Sequence, residues 1–228
     1  MIEAVIFDKD GTLFDFRTSW GAWVESLLAR LGQDSGQLAG VLGYDPGKRA
    51  FLPDSPVVAM TTPEIAGILH PHLTGISVPA LNALMNQLST SAPMQPAVDL
   101  PQVLGGLRAM GLTLGLATND TEAPARQHLS DAGVLAMFAF VAGCDSGWGG
   151  KPEPGQLLAF ARQHGLVPER VAMVGDSRHD LQAARAAGMR AVAVLTGVAR
   201  REELAPHADV VMPDISGLAA WITAQNRA

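Results

Sequence analysis

A doubly wound α/β fold on a parallel sheet, with a small helical insertion near its start, is what this 228-residue sequence predicts. Short apolar runs rich in Val, Ile and Leu recur without polar alternation, as in strands covered on both faces. Helical patterns lie between them and stop at glycine, the residue most at ease in the left-handed conformation that follows a helix C-terminus. Strand–helix alternation of this kind points to a doubly wound sheet. The third observation is a break in the rhythm: the first strand ends at Phe7 and the next convincing one starts only at Leu112.

The strand-length runs cover residues 4–7, 112–117, 171–174, 191–195 and 210–212, with 140–142 a shorter candidate. Helical patterns over 100–110, 121–132, 153–164 and 179–187 are followed by Gly111, Gly133, Gly165 and Gly188. The gap holds amphipathic segments near 20–31, 37–42, 63–69 and 79–88. Turn-rich stretches such as Gly43-Tyr-Asp-Pro-Gly and Leu52-Pro-Asp-Ser-Pro separate them. A structureless loop of this length is out of place in a compact domain. Residues 16–93 therefore read as a helical cap, closing in a Pro-rich stretch over 93–101, inserted into an α/β core of residues 1–15 and 94–228.

Composition narrows the function. Apolar residues make up 48% and charged residues 17%, which supports a packed core and excludes disorder. A formal net charge of −6 argues against nucleic acid or an anionic membrane as partner. Cys144, the single cysteine, is expected to be an ordinary semi-buried thiol, with no partner for a disulfide and no Cys/His cluster for zinc. The start of the chain has no basic leader and apolar run, and no stretch approaches the roughly 20 apolar residues that span a bilayer, so a cytoplasmic protein is expected. Of 16 cationic side chains only Lys9, Lys48 and Lys151 are lysine, which hints that a compact ammonium was needed there. Lys48 and Arg49 read as solvated turn residues; the sharper alternative is that one points into a cleft and pairs with an anionic leaving group.

Chemistry-bearing residues sit at the strand ends. Phe7-Asp8-Lys9-Asp10-Gly11-Thr12-Leu13 follows the first strand directly, where open α/β sheets bind ligands. Two carboxylates one residue apart can converge on one hard cation or phosphoryl group; the plainer alternative is an Asp-Gly turn with a solvated neighbour. Thr118 ends the second strand and offers a hydroxyl to a phosphate oxygen, whereas Asn119 or Thr121 taken singly reads as a helix cap. Lys151, in Gly150-Lys151-Pro152-Glu153-Pro154, stands on a loop just before a helix; alone it would read as a surface lysine. In Gly175-Asp176-Ser177-Arg178-His179-Asp180, Asp180 fits a first-turn acid favoured by the helix dipole, and His179 reads as a helix-start residue. Asp176, directly after an apolar strand and a glycine, has no such plain role.

Taken in order, the strand ends supply Asp-x-Asp-Gly-Thr, a Thr, a Lys, and Gly-Asp with a second Asp. This combination resembles the haloacid dehalogenase superfamily from Ile6 to Met212, and the insertion resembles the cap of its phosphoglycolate phosphatase-like branch. Lys9 is a departure, standing where an apolar residue is usual. The resemblance implies Mg²⁺-dependent hydrolysis of a small-molecule phosphate monoester through an aspartyl phosphate. A phosphate dianion repels a carboxylate nucleophile, so a divalent cation with oxygen ligands is needed. Asp8 is then nucleophile and metal ligand, Asp176 a second ligand and the Asp10 main-chain carbonyl a third, with Asp180 supporting them from behind. Asp10 serves as general acid and base. Thr118, Asn119 and Lys151 hold the phosphoryl group, Lys151 also balancing charge on Asp8. The implied partner is a small phosphorylated metabolite, and the protein is expected to be a monomer or homodimer.

Rival readings differ at identifiable points. Asp10 favours phosphoryl chemistry over the dehalogenase branch, which lacks that carboxylate. A phosphomutase of the β-phosphoglucomutase type shares the core residues and differs in how well its cap excludes water. A non-enzymatic phospho-acceptor module clusters its acids early and places its lysine last, whereas here Asp176 and Asp180 follow Lys151. A catalytically silent binding protein would not need the intact acid set.

Overall fold

The computed structural model describes residues 1–52 and 55–227; two residues of the expected turn at Leu52-Pro-Asp-Ser-Pro fall outside the described residues. Strand β1 (Ala4–Phe7) is wholly buried and pairs in parallel with β4 (Thr113–Ala117) on one side and β6 (Val171–Gly175) on the other. With β5 (Phe140–Ala142), β7 (Arg190–Val194) and β8 (Val210–Met212) they form a six-stranded parallel sheet in the order β5-β4-β1-β6-β7-β8. Strand β2 (Tyr44–Asp45) and β3 (Ala50–Phe51) form a separate antiparallel hairpin. The expected strands are thus present within a residue or two of their predicted ends.

Side-chain alternation along β1 divides the core. Val5 and Phe7 face one cluster with Leu114, Leu116 and Val174; Ala4 and Ile6 face another with Met173, Ala191 and Ala193. The first cluster is closed by helices α6 (Leu100–Ala109), α7 (Glu122–Asp131) and α11 (Leu218–Arg227). The second is closed by α8 (Gly155–Gln163), α9 (Arg178–Ala186) and the single turn α10 (Arg201–Leu204). Helix α11 was not foreseen: its buried residues, Leu218 and Ile222, make only one i,i+4 pair, a weak periodic signal.

The insertion after β1 has its own apolar cluster. Helices α1 (Phe16–Leu31), α2 (Ser35–Val41), α4 (Thr62–Leu69) and α5 (Val78–Thr90), with the one-turn α3 (Pro56–Ala59), bury Trp23, Val24, Leu27, Leu38, Ile65, Leu69, Leu81 and Met85 against one another. The stretch Gly43-Tyr-Asp-Pro-Gly, expected as a plain turn, is the start of the β2–β3 hairpin. The Tyr44 and Phe51 rings meet at a tilt, 5.2 Å apart, within the cluster, and Asp45 accepts from the Gly47 and Lys48 amides to close the turn. The chain enters and leaves the insertion side by side, with the Asp15 amide donating to the Gln95 carbonyl and the Ala97 amide to the Leu13 carbonyl. That pairing anchors the insertion over the carboxyl end of β1.

Candidate active site

Asp8, Asp10, Thr118, Asn119, Lys151, Asp176 and Asp180 all line one cleft at the carboxyl ends of β1, β4 and β6, roofed by the insertion. Asp8 still belongs to the ladder, its amide donating to the Val174 carbonyl at 2.8 Å, so the sheet fixes where its carboxylate begins. Asp10 sits on the turn that Gly11 opens with φ +81°. A side chain at Gly11 would be strained by that φ and would also collide with the Asp176 carboxylate. Gly197, in the loop after β7, approaches Asp176 just as closely, and the neighbouring Thr196 hydroxyl donates to the Gly11 carbonyl at 2.5 Å. Sequence reasoning missed this loop, which carries no charged group; the small Thr-Gly pair after a strand was its only signal.

Lys151 is the electrostatic centre. Its buried ammonium donates to Asp8 Oδ1 at 2.5 Å and Asp180 Oδ1 at 2.6 Å. Asp180 Oδ2 meanwhile accepts from the Ser177 amide (3.0 Å) and hydroxyl (2.7 Å), a capping box at the start of α9. One carboxylate thus caps a helix, as a first-turn acid does, and fixes the lysine. Asn119 clamps the main chain of Lys151 from both sides: its Nδ2 donates to the Lys151 carbonyl at 2.9 Å and its Oδ1 accepts from the amide at 2.8 Å. The Asn119 side chain therefore holds the lysine loop in place. Gln156, also unforeseen, is buried and donates to the Thr118 and Gly149 carbonyls. The Thr118 hydroxyl accepts from the Asp120 amide at 3.1 Å while lining the cleft.

Burial sets the charges at odds with one another. It pushes the Asp8 carboxyl up to about 7 against the opposing pull of Lys151, with Asp180 and Asp10 adding repulsion. Asp176 is raised well above the carboxylate range by burial and then by the charges of Asp8 and Asp180. Burial alone would lower the Lys151 ammonium, but Asp180 and Asp8 outweigh it and hold it above its ordinary value. Asp8, Asp176 and Asp180 offer carboxylate oxygens within 4.8 Å of one another, all buried. Such an all-oxygen set, ionised only at a cost, fits a hard divalent cation whose charge would relieve the repulsion.

Behind Asp10 lies a second buried cluster. Lys9 is completely buried, and its Nζ donates to Asp10 Oδ1 at 2.9 Å and to His128 Nδ1 at 3.0 Å. The same ammonium lies 3.2 Å from Asp120 Oδ2 and 5.3 Å from the centre of the Trp20 ring. Since an ammonium only donates and a carbonyl only accepts, His128 must accept at Nδ1 and donate from Nε2 to the Ser89 carbonyl at 2.8 Å. The imidazole is therefore neutral, in keeping with the lowering of its pKa by burial and by Lys9. Asp120 also accepts from the Ser89 hydroxyl at 3.0 Å, which ties α5 of the insertion to the core. The apparent departure at Lys9 thus has three polar partners and an aromatic face, all but the adjacent Asp10 contributed by other segments.

The roof is apolar. Phe16, Trp20, Trp23, Val57, Ile65 and Met85 face the acids across the cleft. Lys48 and Arg49 take no part: Lys48 is 82% exposed near Asp45, and Arg49, 71% exposed, donates to Glu25 at 2.6 Å. Their plain reading as surface turn cations holds. His179 stands half-exposed at the cleft mouth, outside the acid cluster, as a helix-start residue should.

A parallel sheet that gathers buried acids and a lysine at its carboxyl edge, under a helical insertion from its first strand, defines a class of hydrolase. The haloacid dehalogenase-like hydrolase family model matches residues 2–188, and the chain belongs to that family. Among its relatives, a phosphoglycolate phosphatase of Xylella fastidiosa is 30% identical over 207 residues, covering 87% of this chain and 82% of that protein. The phosphoglycolate phosphatase of Escherichia coli is 38% identical over 112 residues, covering 49% of this chain and 43% of that protein. The fold is shared with CbbY from Rhodobacter sphaeroides, solved in complex with phosphate: TM-score 0.78, 20% identity, 96% of each chain. Among the described residues no helix is long and apolar enough to cross a membrane.

Proposed function

We propose that this protein hydrolyses a small phosphate monoester by way of a phosphorylated Asp8, with Mg²⁺ as cofactor. One observation carries the reading: Asp8 and Asp10, two residues apart on one strand end, share a cleft with Lys151 and Asp176 from two other loops. The Asp8 and Asp176 carboxylates and the Asp10 carbonyl would hold magnesium, which supplies positive charge to offset the repulsion between the phosphate dianion and Asp8.

The residues then divide the work. An Asp8 oxygen attacks phosphorus and forms a P–O bond while the bond to the substrate alcohol breaks. Asp10 delivers its proton to the departing alkoxide, releasing the alcohol. In the second half Asp10 takes a proton from water as that water's oxygen attacks phosphorus. The bond to Asp8 breaks and inorganic phosphate leaves. Lys9 holds Asp10 Oδ1, which leaves the other oxygen for proton transfer. Lys151 balances charge on Asp8 and the phosphoryl group, with Asn119 fixing its loop and Asp180 its ammonium. The Thr118 hydroxyl is available to a phosphoryl oxygen, as are main-chain amides near Asp10 and Asn119. Phosphoglycolate, after which the relatives are named, is the substrate against which others are to be compared.

Asp8→Asn preserves shape and removes the nucleophilic charge. It should abolish turnover with an unchanged circular dichroism spectrum, and no phosphorylated Asp8 peptide should survive acid quenching, in contrast to the native enzyme. Substantial residual phosphatase activity in that variant would eliminate the covalent mechanism.

A further inference from the structure

We infer that the alcohol released from this site is uncharged and predominantly apolar, so that a carboxylated or sugar phosphate is a poor substrate. The inference rests on the phosphatase reading above and concerns only the leaving group. The acids at the strand ends form the floor of the cleft, and whatever lies on the ester's far side from them meets the roof. There Phe16, Trp20, Trp23, Val57, Ile65 and Met85 present rings and alkyl groups. Burying an apolar group against such a wall is favourable, whereas a carboxylate or a polyol placed there loses water without gaining partners.

An anionic leaving group would need a cation, and the candidates are accounted for one by one. The Lys151 ammonium is held between Asp8 and Asp180. That of Lys9 lies behind Asp10, completely buried among Asp10, Asp120 and His128. Lys48 and Arg49 point to solvent and pair with Asp45 and Glu25. Arg178 lines a groove that adjoins the cleft along Val58, Met60, Lys151, Ser177 and His179, and there it shares the lining with Glu64 and Glu203. His179 alone stands at the mouth. The cleft meanwhile contains Asp8, Asp10, Asp120, Asp176 and Asp180, against which the ammoniums of Lys9 and Lys151 and a bound magnesium are already set, so no positive charge is left over for a second anion on the substrate. Thr62 and Ser89 are the polar residues among the insertion's lining, the Ser89 hydroxyl already donating to Asp120, and the buried Trp20 Nε1–H has no hydrogen-bond partner. A single acceptor on an otherwise apolar alcohol would satisfy it.

Three primary alkyl phosphates isolate the leaving group: benzyl phosphate, 2-phosphoglycolate and glucose 6-phosphate place a phenyl ring, a carboxylate and a polyol on similar ester linkages. With magnesium and full-length protein, kcat/KM for benzyl phosphate should exceed that for each of the others by about tenfold or more. Met60 lines the cleft and is 40% exposed, so Met60→Arg can add a cation there without disturbing a core. It should move the ratio of 2-phosphoglycolate to benzyl phosphate upward by about tenfold. Equal or better turnover of 2-phosphoglycolate or glucose 6-phosphate by the native protein would overturn the inference and leave the phosphatase reading standing. An unmoved ratio in Met60→Arg would overturn the claim that a missing cation sets the preference. If none of the three is hydrolysed, nor acetyl phosphate, which needs no help from a leaving-group pocket, the phosphatase reading falls and this inference with it.

Discussion

Lys9 shows how little a side chain's neighbours in sequence say about its surroundings. It stands between two aspartates in a glycine turn, where the family usually has an apolar residue, and it is completely buried against Asp10, Asp120, His128 and the Trp20 ring. Removing one member of a buried ionic cluster leaves the others unpaired, at a cost of about 3–5 kcal/mol. Lys9→Met, close in length and apolar, should therefore lower the unfolding midpoint in urea and also lower kcat, because Asp10 Oδ1 loses its anchor. An unchanged midpoint would mean that Asp10 and Asp120 find new partners or take up protons at little cost.

At the scale of elements, the loops after β1 and β7 close on Asp176, which leads the loop after β6. Gly11 and Gly197 approach it from opposite ends of the sequence, and the Thr196–Gly11 hydrogen bond holds the two loops together. A methyl group at position 197 would overlap the Asp176 carboxylate. Gly197→Ala should therefore push Asp176 aside, reducing kcat and the thermal stabilisation that magnesium confers, while the half-buried loop lets the metal-free fold survive. Differential scanning fluorimetry with and without magnesium reads this directly. If the magnesium shift in Gly197→Ala equals that of the native protein, the carboxylate is not held where the loop can displace it. The insertion is tied in by a different device, the Ser89 contacts to Asp120 and His128 from α5.

For the whole molecule, the acid cluster couples stability to pH and to metal. Asp8 titrates near 7 in the folded protein against an ordinary 3.8, and Asp176 is shifted in the same direction. Between those values the folded state holds more protons than the unfolded chain, so the contribution of these groups is full at low pH and is lost as pH rises towards about 7. His128, held low by burial and Lys9, has the opposite slope near neutrality. Comparison with Asp176→Asn cancels that term. Metal-free native protein should lose stability relative to Asp176→Asn as pH rises through this window, with Tm changing by about 2–4 °C per kcal/mol. Magnesium should raise the native Tm by binding only the folded site, and should do so far less in Asp176→Asn. A flat difference across pH would contradict the buried, mutually repelling acids.

The sequence by itself determined the parallel sheet, the helices around it and the residues at the strand ends. Those features are local: β1 is an unbroken apolar run, Gly111 and Gly188 take up left-handed φ of +83° and +73° just past their helices, and Asp8 follows its strand directly. Order along the chain was enough to bring Asp8, Thr118, Lys151 and Asp176 to one edge, because parallel strands all present their carboxyl ends on the same side. Tertiary structure alone decided what each group touches. That Asn119 clamps the Lys151 loop, that Lys9 is buried against Asp120 and His128, and that Arg49 turns to Glu25 all depend on contacts between distant segments. So does the apolar roof, whose tryptophans read in sequence only as the buried face of a helix. Burial and pairing fix a charged group's role, and neither is encoded by the spacing of its neighbours along the chain.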